Sequence, residues 1–586
     1  MGNGDPGADG LGVGSSPRAG GPTPDAVGEG SIPSPGQPSS PLAAHPSDEG
    51  ARVGGASLPD SWSERRAAWV VLLVAVCALT LFANLGGKDL WGADESHDAQ
   101  RAREMLASRQ WLRPTFLGQA DFDKPPLQHW LMAGAGMLFG PTDTVFRLPA
   151  AGFGLLAVLL TFALGAHLYG PRAGGIAGFV LATSFLFVFY SRTAFVDAAL
   201  LASITGAVFT GHRALERERG WGGWAGLAVL FLATGFMGKG LAGLVLPTLV
   251  LWVGGSVGGR WRRLAGIAGT AGLLAAPLFV ALGSEFSGRF LQFDHLRRFF
   301  VAQNELGGNH PFYFYVPALV GNWLPWTILL PAVVVALAAT PGALRRWRLP
   351  LGWFAVTFLL LTAGANKREP YLLPLFPALA LLYGVVAEEV LSGRTGARLR
   401  LWWRIGVVGL GATCAVGGLL LPVTWPARLG AIRWEGWSLV LVAGGVWVVL
   451  RALRGTGFSV VAATGVLVLA AFEFLIWQLL PAMNSTRSAR ATAAAVRAVA
   501  DPASLGVTPD THPGVVYYLD LPRPAEALVP LARVAEVLRS GRPVLMSLSP
   551  GMPLPQILSS GQVRVRTRVR FQRLEYLVLE WAGEPG

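Results

Sequence analysis

Cysteine is almost absent from this chain, which has two in 586 residues. Both of them, Cys77 and Cys414, fall inside long apolar stretches. A disulfide framework and a cysteine-rich metal site are therefore excluded. The chain also lacks a basic stripe with interleaved aromatic side chains, so its formal net charge of +13 does not indicate a nucleic acid partner.

Charged residues are scarce as well, at 14% of the chain against 52% hydrophobic residues. The mean hydropathy of +0.46 lies well outside the range of ordinary soluble domains. Apolar stretches approach the roughly 20 residues that a helix needs to cross a bilayer. They predict an all-α polytopic membrane protein with about thirteen transmembrane helices. These lie near 67–85, 145–168, 174–190, 198–212, 222–237, 241–257, 264–282, 313–338, 350–363, 371–391, 405–422, 437–452 and 458–479.

Arginines gather at every second connection between these stretches, and basic connections are typically cytoplasmic. The arginines are Arg65, Arg66, Arg172, Arg213, Arg217, Arg219, Arg260, Arg262, Arg263, Arg345, Arg346, Arg348, Arg394, Arg398, Arg400, Arg404, Arg451 and Arg454. Residues 1–60 hold almost no large apolar side chains, so they predict a disordered cytoplasmic tail. We expect a multi-pass protein of the inner (plasma) membrane.

An odd number of crossings places residues 481–586 on the extracytoplasmic side, after a transmembrane domain at 61–480. Residues 488–500 predict a helix, and 514–519 and 543–548 predict strands. The alternating pattern of 562–581 also indicates strand. A small extracytoplasmic α/β domain is the expected result.

Lysine is the rarer basic residue, with four lysines among the 48 lysines and arginines. Lys88, Lys124, Lys239 and Lys367 all fall where the outer side of the membrane is expected. This distribution indicates an extracytoplasmic site that handles anions.

Three carboxylates lie at the same outer side. Asp94 and Glu95 follow the first predicted span, in the long outer connection 86–144, and Asp197 lies between two apolar spans. Ionisable groups near the hydrocarbon region are costly unless they have a partner or a function. A solvated loop could explain the first two acids, and a local pair with Arg192 could explain Asp197. The cost of burial favours a functional site.

Several short motifs occur together in this order. They are Asp94-Glu95, Arg101-Ala102-Arg103-Glu104, Trp111-Leu112-Arg113-Pro114, Phe122-Asp123-Lys124-Pro125-Pro126, Arg147-Leu148-Pro149, Asp197, Gly238-Lys239-Gly240, His310-Pro311-Phe312-Tyr313-Phe314-Tyr315, Lys367-Arg368-Glu369-Pro370-Tyr371 and Ser488-Ala489-Arg490. The combination resembles the aminoarabinose-type lipid A glycosyltransferases of the GT-C superfamily. These are relatives of the polyprenyl- and dolichyl-phosphate-mannose protein mannosyltransferases. The resemblance covers roughly residues 67 to 520.

The resemblance implies transfer of a sugar from a polyprenyl-phosphate donor to a lipid or other glycoconjugate acceptor at the outer membrane surface. The departing lipid phosphate gains negative charge, which fixed cations and hydrogen-bond donors stabilise. Lys124, Arg298 and Tyr371 match the family positions that hold this phosphate, with Lys367 and Lys239 as further candidates. Attack opposite the phosphate implies inversion at the sugar carbon.

The acids take the catalytic roles in this interpretation. Asp94 is expected to orient or deprotonate the acceptor, with Asp197 and Glu95 assisting. The acceptor or sugar pocket is expected to include His97, Asp98, His310 and Tyr313.

The sequence departs from the family pattern at two places. His97-Asp98 stands where the family commonly has Arg-Tyr, and Lys367-Arg368-Glu369-Pro370-Tyr371 replaces Lys-Leu-Pro-His-Tyr. Both departures leave the sugar and the acceptor open. No cofactor is expected, and no histidine and carboxylate cluster has the spacing of metal ligands, since His97 and His129 are far apart in sequence.

Other functions remain possible at this point. Protein O-mannosylation would use similar acids and a lipid donor. A transporter of lipid-linked glycans would need charges along a path through the bundle, whereas the informative charges gather at one face. A purely structural scaffold would not need the outer acids.

Overall fold

The computed structural model describes residues 60–121, 125–255, 259–288, 298–301, 310–424, 434–553 and 562–583, which lie in one compact unit. The predicted tail lies outside the described residues except for Asp60. Lys124 lies outside them too, and Arg298 is described in its backbone alone.

Helices form most of the described chain. Those before residue 290 are α1 (Asp60–Cys77), α2 (Gly92–Ser108), α3 (Leu127–Phe139), α4 (Asp143–Tyr169), α5 (Pro171–Ala182), α6 (Phe185–Ser191), α7 (Asp197–Glu216), α8 (Gly222–Lys239), α9 (Leu241–Val253) and α10 (Trp261–Gly288), which is kinked at Gly283. Those up to residue 482 are α11 (Arg298–Phe300), α12 (Tyr315–Asn322), α13 (Leu330–Ala339), α14 (Ala343–Arg346), α15 (Arg348–Ala363), α16 (Phe376–Leu391), α17 (Ala397–Thr424), α18 (Glu435–Arg454), α19 (Phe458–Phe474) and α20 (Leu480–Ala482).

Within the described ranges, seven helices are long and apolar enough to cross a membrane, and nine if each of two bent helix pairs forms one span. The bent pairs are α5 with α6, at 67°, and Phe312–Asn322 with Trp326–Ala339, at 104°. Helix occupies all thirteen predicted regions, because α7, α8, α9 and α15 fill the other four. The prediction of a mostly helical membrane protein is confirmed, and the count of thirteen crossings stays a prediction.

The long connection after the first span is folded. It contains α2, a small antiparallel pair of β1 (Thr115–Phe116) and β2 (Gln119–Ala120), and α3. Trp91 is extended and precedes the helix, and Gly92 has a φ of +73° at its first position. Asp94 and Glu95 lie in the first turn, where the partial positive charge of the helix amino terminus stabilises carboxylates.

The C-terminal segment is a small mixed domain. Its helices are α21 (Asn484–Arg487), α22 (Arg490–Arg497), α23 (Pro513–Leu519), α24 (Pro524–Ala527) and α25 (Val534–Arg539). Its sheet has the strand order β3 (Gly506–Val507), β4 (Val544–Leu548), β6 (Leu574–Trp581), β5 (Val563–Phe571). β3 and β4 are parallel, whereas β4–β6 and β5–β6 are antiparallel.

One strand prediction in this domain is wrong, because residues 514–519 form most of helix α23. Pro513 occupies the first turn, and the His512 side chain accepts a hydrogen bond from the Gly514 amide, 3.0 Å away. These two features start a helix. The β-branched and aromatic residues that suggested a strand are instead buried as a helix in the domain core.

The domain has one buried cluster of its own, which includes Val534 and Leu577, and shares a second with the rest of the protein. The shared cluster joins its side chains to those of the first outer connection and of the start of α4. Its members include Leu90, Ala99, Ala102, Met132, Phe146, Val507, Val515, Tyr517 and Val578. The C-terminal domain and the outer connection therefore pack as one body.

Candidate active site

Asp94 is the exposed acid of the adjacent pair on α2. Its side chain is 55% exposed, and one carboxylate oxygen lies 3.0 Å from Nη2 of Arg368, whose side chain is 44% exposed. Successive residues of a helix point about 100° apart. Asp94 can therefore be exposed while its neighbour is buried.

Glu95 is that buried neighbour, and protein donors surround its carboxylate. Oε2 lies 2.7 Å from Lys88 Nζ and accepts from the Trp91 amide at 3.0 Å, and Oε1 accepts from Arg147 Nε at 2.8 Å and from the Ala194 amide at 3.2 Å. Burial by itself would raise the pKa of Glu95. The charges of Arg147 and Lys88, with their hydrogen bonds, lower it to about 2. Glu95 is an ionised anchor inside the protein.

Asp197 begins α7, and Lys239 ends α8. The Lys239 ammonium lies 2.5 Å from Oδ1 of Asp197 and 5.3 Å from the ring centre of Tyr371. The alternative of a local pair between Asp197 and Arg192 is wrong, since Arg192 donates to the Thr80 and Asn84 carbonyls. Helix ends that are distant in sequence therefore bring a carboxylate, a lysine and a tyrosine together.

A single turn joins the two ion pairs, Asp94–Arg368 and Asp197–Lys239. Arg368 precedes the 3-10 turn Glu369–Leu375, which contains Tyr371, and the Arg368 amide donates to the Tyr315 hydroxyl at 3.2 Å. Tyr190 lies within electrostatic reach of Asp197, Arg368 and Asp94. Asp94, Arg368, Tyr371, Lys239 and Asp197 thus form one cluster, which we call the acid–base site. Each carboxylate of this site is paired directly with a cation, and both pairs are partly exposed.

Lys367 is adjacent in sequence to this site but is buried. Its ammonium donates to the Gly364 carbonyl at 2.8 Å within its own turn. The contact fixes the backbone that carries Arg368.

His97 and Asp98 lie on the faces of α2 that contact the rest of the outer connection. His97 Nε2 is 2.8 Å from Asp121, and buried Asp98 pairs with Arg101 at 3.1 Å and with His129 at 3.2 Å. Burial favours the neutral acid, but the hydrogen bond from His97 and the charge of Arg101 hold the pKa of Asp121 below its ordinary value. His97 and Asp98 are therefore held by side-chain contacts within this connection.

The expected pocket residues His310 and Tyr313 lie at the start of a bent helix pair. His310 stacks on Phe314 with ring centres 4.2 Å apart, and Tyr313 is exposed. Nearby Tyr315 reaches the acid–base site, because its hydroxyl accepts a hydrogen bond from the Arg368 amide. The sequence motifs include Tyr315 and Arg368, but no site role was predicted for these two residues or for Tyr190. The available signal for Arg368 was the departure from the family motif, which has leucine at this position.

In the described part of the chain, one group of three side chains has the geometry of possible metal ligands. His167, His212 and Glu216 lie near the carboxyl ends of α4 and α7. Asp197 lies at the opposite end of α7, roughly 30 Å away along the helix. The group is therefore separate from the acid–base site.

Known proteins are similar to this chain in sequence and in fold. Residues 123–283 match the family model of dolichyl-phosphate-mannose-protein mannosyltransferases. An undecaprenyl phosphate-alpha-4-amino-4-deoxy-L-arabinose arabinosyl transferase of Edwardsiella ictaluri (strain 93-146) is 32% identical over 413 residues, which cover 66% of this chain and 72% of the relative. The corresponding transferase of Serratia proteamaculans (strain 568) is 26% identical over 407 residues, covering 64% and 72%.

The crystal structure of ArnT from Cupriavidus metallidurans bound to undecaprenyl phosphate has the same fold, with a TM-score of 0.68. Its sequence identity is 21%, and the match covers 87% of this chain and 98% of that chain. Together, the helical membrane fold, the acid–base site and the relatives define a membrane glycosyltransferase that uses a polyprenyl-phosphate sugar donor. More particularly, the chain belongs to the family of undecaprenyl phosphate-aminoarabinose arabinosyl transferases. The resemblance seen in the sequence is confirmed.

Proposed function

We propose that this enzyme transfers 4-amino-4-deoxy-arabinose, or a closely related sugar, from undecaprenyl phosphate to a glycolipid of the lipid A type. The names of its relatives supply the donor and the sugar. The observation that carries the mechanism is the acid–base site, where an accessible carboxylate stands near a lysine and a tyrosine from other elements.

Asp94 acts on the acceptor in this proposal. It accepts a hydrogen bond or a proton from the nucleophilic group as that group attacks the anomeric carbon. The bond from that carbon to the phosphate oxygen breaks on the opposite face, so the sugar is inverted and undecaprenyl phosphate leaves. Asp197 holds the sugar, and Glu95 fixes the helix that carries Asp94.

The leaving phosphate needs positive charge and hydrogen-bond donors. Lys239 and Tyr371 supply them from the described site, and Lys124 and Arg298 are expected to add to them. Lys367 supports phosphate binding indirectly, because its hydrogen bond to the Gly364 carbonyl fixes the backbone next to Arg368. His97, Asp98, His310 and Tyr313 are proposed to line the more distant parts of the acceptor and sugar pocket.

Thirteen crossings of the inner membrane fit this chemistry. The tail 1–60 would be cytoplasmic, the transmembrane domain 61–480 would carry the catalytic outer connection 86–144, and the α/β domain 481–586 would be extracytoplasmic. This arrangement places Asp94, Asp197 and Lys239 on the outer side. Nucleotide sugars are absent there, so a lipid carrier has to deliver the sugar.

Mass spectrometry of lipids and glycoconjugates tests the proposal. Cells that express the wild-type chain should accumulate a glycolipid heavier by one aminopentose, and cells that express Asp94→Asn should lack it. A hexose on proteins would instead support O-mannosylation, which the family-model match makes the second candidate. Identical spectra from wild type and a folded, inserted Asp94→Asn variant would overturn enzymatic transfer.

Lys239→Ala is expected to weaken binding of undecaprenyl phosphate by about 10- to 100-fold, because a hydrogen bond to a charged group contributes roughly 1.5–3 kcal/mol. Asp197→Asn is the matched comparison, since it removes the other half of the same ion pair. It should lower turnover while phosphate binding stays within about threefold, because no phosphate-binding charge is lost. Titration of the lipid phosphate by native mass spectrometry measures both. Equal losses of binding would contradict the assignment of the phosphate to Lys239.

Arg368→Leu introduces the leucine of the resembled motif and removes the partner of Asp94. The pair is half exposed, so it contributes at most about 1 kcal/mol to stability. Turnover should fall about tenfold, equivalent to ~1.4 kcal/mol of barrier, because the Asp94 carboxylate loses the donor that orients it. Arg368→Lys should recover part of the activity. Wild-type turnover in Arg368→Leu, measured by single-turnover sugar transfer, would exclude this role.

A further inference from the structure

The chain just before Asp94 receives side chains from the C-terminal domain. Oδ1 of Asn484 accepts from the Asp89 amide at 2.9 Å and from Nε1 of Trp91 at 2.8 Å, and its Nδ2 donates to the Gly87 carbonyl at 3.0 Å. Trp91 also forms an antiparallel bridge with Ser488. One asparagine, nearly 400 residues away in sequence, therefore spans the segment 87–91.

A second set of contacts holds the same segment. The Tyr518 hydroxyl accepts from the Leu90 amide and donates to Asp143 Oδ2, both at 2.8 Å. Arg490 pairs with Asp89 and with Asp143, at 3.0 Å each. The C-terminal domain thus contacts both the segment that leads into α2 and the first residue of α4.

The bundle holds this segment from its other side. Arg147 of α4 is fully buried, donates to the Leu85 and Asp89 carbonyls at 3.1 and 2.9 Å, and also contacts the Lys88 carbonyl. The bundle therefore fixes three carbonyls of this stretch, whereas the C-terminal domain fixes the Asp89 and Leu90 amides and the Gly87 carbonyl. Asp94 lies three residues after Trp91, in the first turn of α2, so its position depends on both.

We propose that Asn484 is a positioning residue for Asp94, with Tyr518 and Arg490 in support. The C-terminal domain thereby completes the acid–base site without touching the substrate. This inference rests on the proposed function of Asp94. A group 1 Å out of place can lower turnover strongly, so such a residue acts on turnover more than on donor binding.

Hydrogen exchange tests the positioning without any assay of activity. Asn484→Ala should speed exchange of the backbone amides in 87–95 by at least about tenfold, because the Asp89 amide loses its acceptor, while exchange in α3 stays within about twofold. Asn322→Ala is the control, since the Asn322 side chain donates to the Ala318 carbonyl of its own helix. Unchanged exchange in 87–95 would overturn the proposal whatever the enzyme transfers.

Kinetics then separates positioning from general destabilisation. Asn484→Ala should lower turnover about tenfold in the wild-type background and change the residual turnover of Asp94→Asn less than about twofold, because it acts through Asp94. Binding of undecaprenyl phosphate should stay unchanged, and Tyr518→Phe should behave in the same way. An equal loss in both backgrounds, or weaker lipid binding, would show a structural role and overturn the proposal. Absence of transfer by the wild type would contradict the proposed function. Hydrogen exchange of 87–95 would still decide whether Asn484 holds that segment in place.

Discussion

Asp94→Asn should lower sugar transfer by about 10²–10⁴-fold, the range that general acid–base catalysis contributes. The asparagine retains the size of the side chain but can neither accept a proton nor carry the charge that orients the acceptor. Binding of undecaprenyl phosphate should be unchanged, because the phosphate is assigned to Lys239 and Tyr371 on other elements. Turnover and lipid binding, measured on the same purified protein, check both statements.

The control for this variant is Asp501→Asn. Asp501 is an exposed acid of the C-terminal domain whose carboxylate accepts from the Ala503 amide. Its replacement should leave transfer intact. Loss of lipid binding together with turnover in Asp94→Asn would instead place Asp94 at the donor phosphate, and normal turnover would remove it from the mechanism.

Glu95→Gln should have a large effect on stability. It leaves buried Arg147 and Lys88 facing a neutral amide, and breaking a buried ion pair from one side costs about 3–5 kcal/mol. Burial and Arg147 lower the pKa of Lys88 to about 7, with Glu95 acting in the opposite direction. Without Glu95, Lys88 should lose its proton, so Lys88→Met should be less harmful in the Glu95→Gln background than in the wild type. The wild type, the two single variants and the double variant form a double-mutant cycle, and thermal unfolding in detergent measures their stabilities.

The matched control is Glu526→Gln, at a highly exposed acid that pairs with Arg523. Such surface pairs contribute about 0–1 kcal/mol, so unfolding should hardly change. A Glu95→Gln variant as stable as Glu526→Gln would contradict the role of Glu95 as a buried anchor.

The same network predicts a pH dependence. Glu95 has a folded-state pKa of about 2, below the ordinary 4.5, so the unfolded chain binds more protons between these values. Its contribution to stability is complete above pH 4.5 and is lost as the pH falls towards 2. The wild type should therefore lose more of its unfolding free energy over this interval than Glu95→Gln does. Parallel losses would show that Glu95 titrates normally in the fold.

Sequence patterns located the helices well but not every local structure. Helix occupies each predicted apolar region, because the length and hydropathy of a bilayer-crossing segment are local properties. The wrong strand prediction at 514–519 has the opposite origin. Its residues favour strand in isolation, but Pro513, the His512 cap and burial in a shared core select a helix.

The site shows the same division. Asp94, Asp197, Lys239 and Tyr371 were all identified from sequence, by the cost of charges near a membrane and by the family motifs. The sequence did not predict how these residues pair. Arg192 was considered as the partner of Asp197, but Asp197 contacts Lys239 in the structure.

By itself, the sequence determined that this protein spans a membrane repeatedly and to which family it belongs. The tertiary structure decided which of two adjacent acids is exposed and which is buried. Helix geometry turns Asp94 and Glu95 to different faces, and only the packing of Lys88 and Arg147 around Glu95 leaves Asp94 as the accessible carboxylate. It also decided that Asn484 forms hydrogen bonds with the segment 87–91, just before Asp94. A contact across nearly 400 residues depends on how the chain packs and leaves no periodic signal in the sequence.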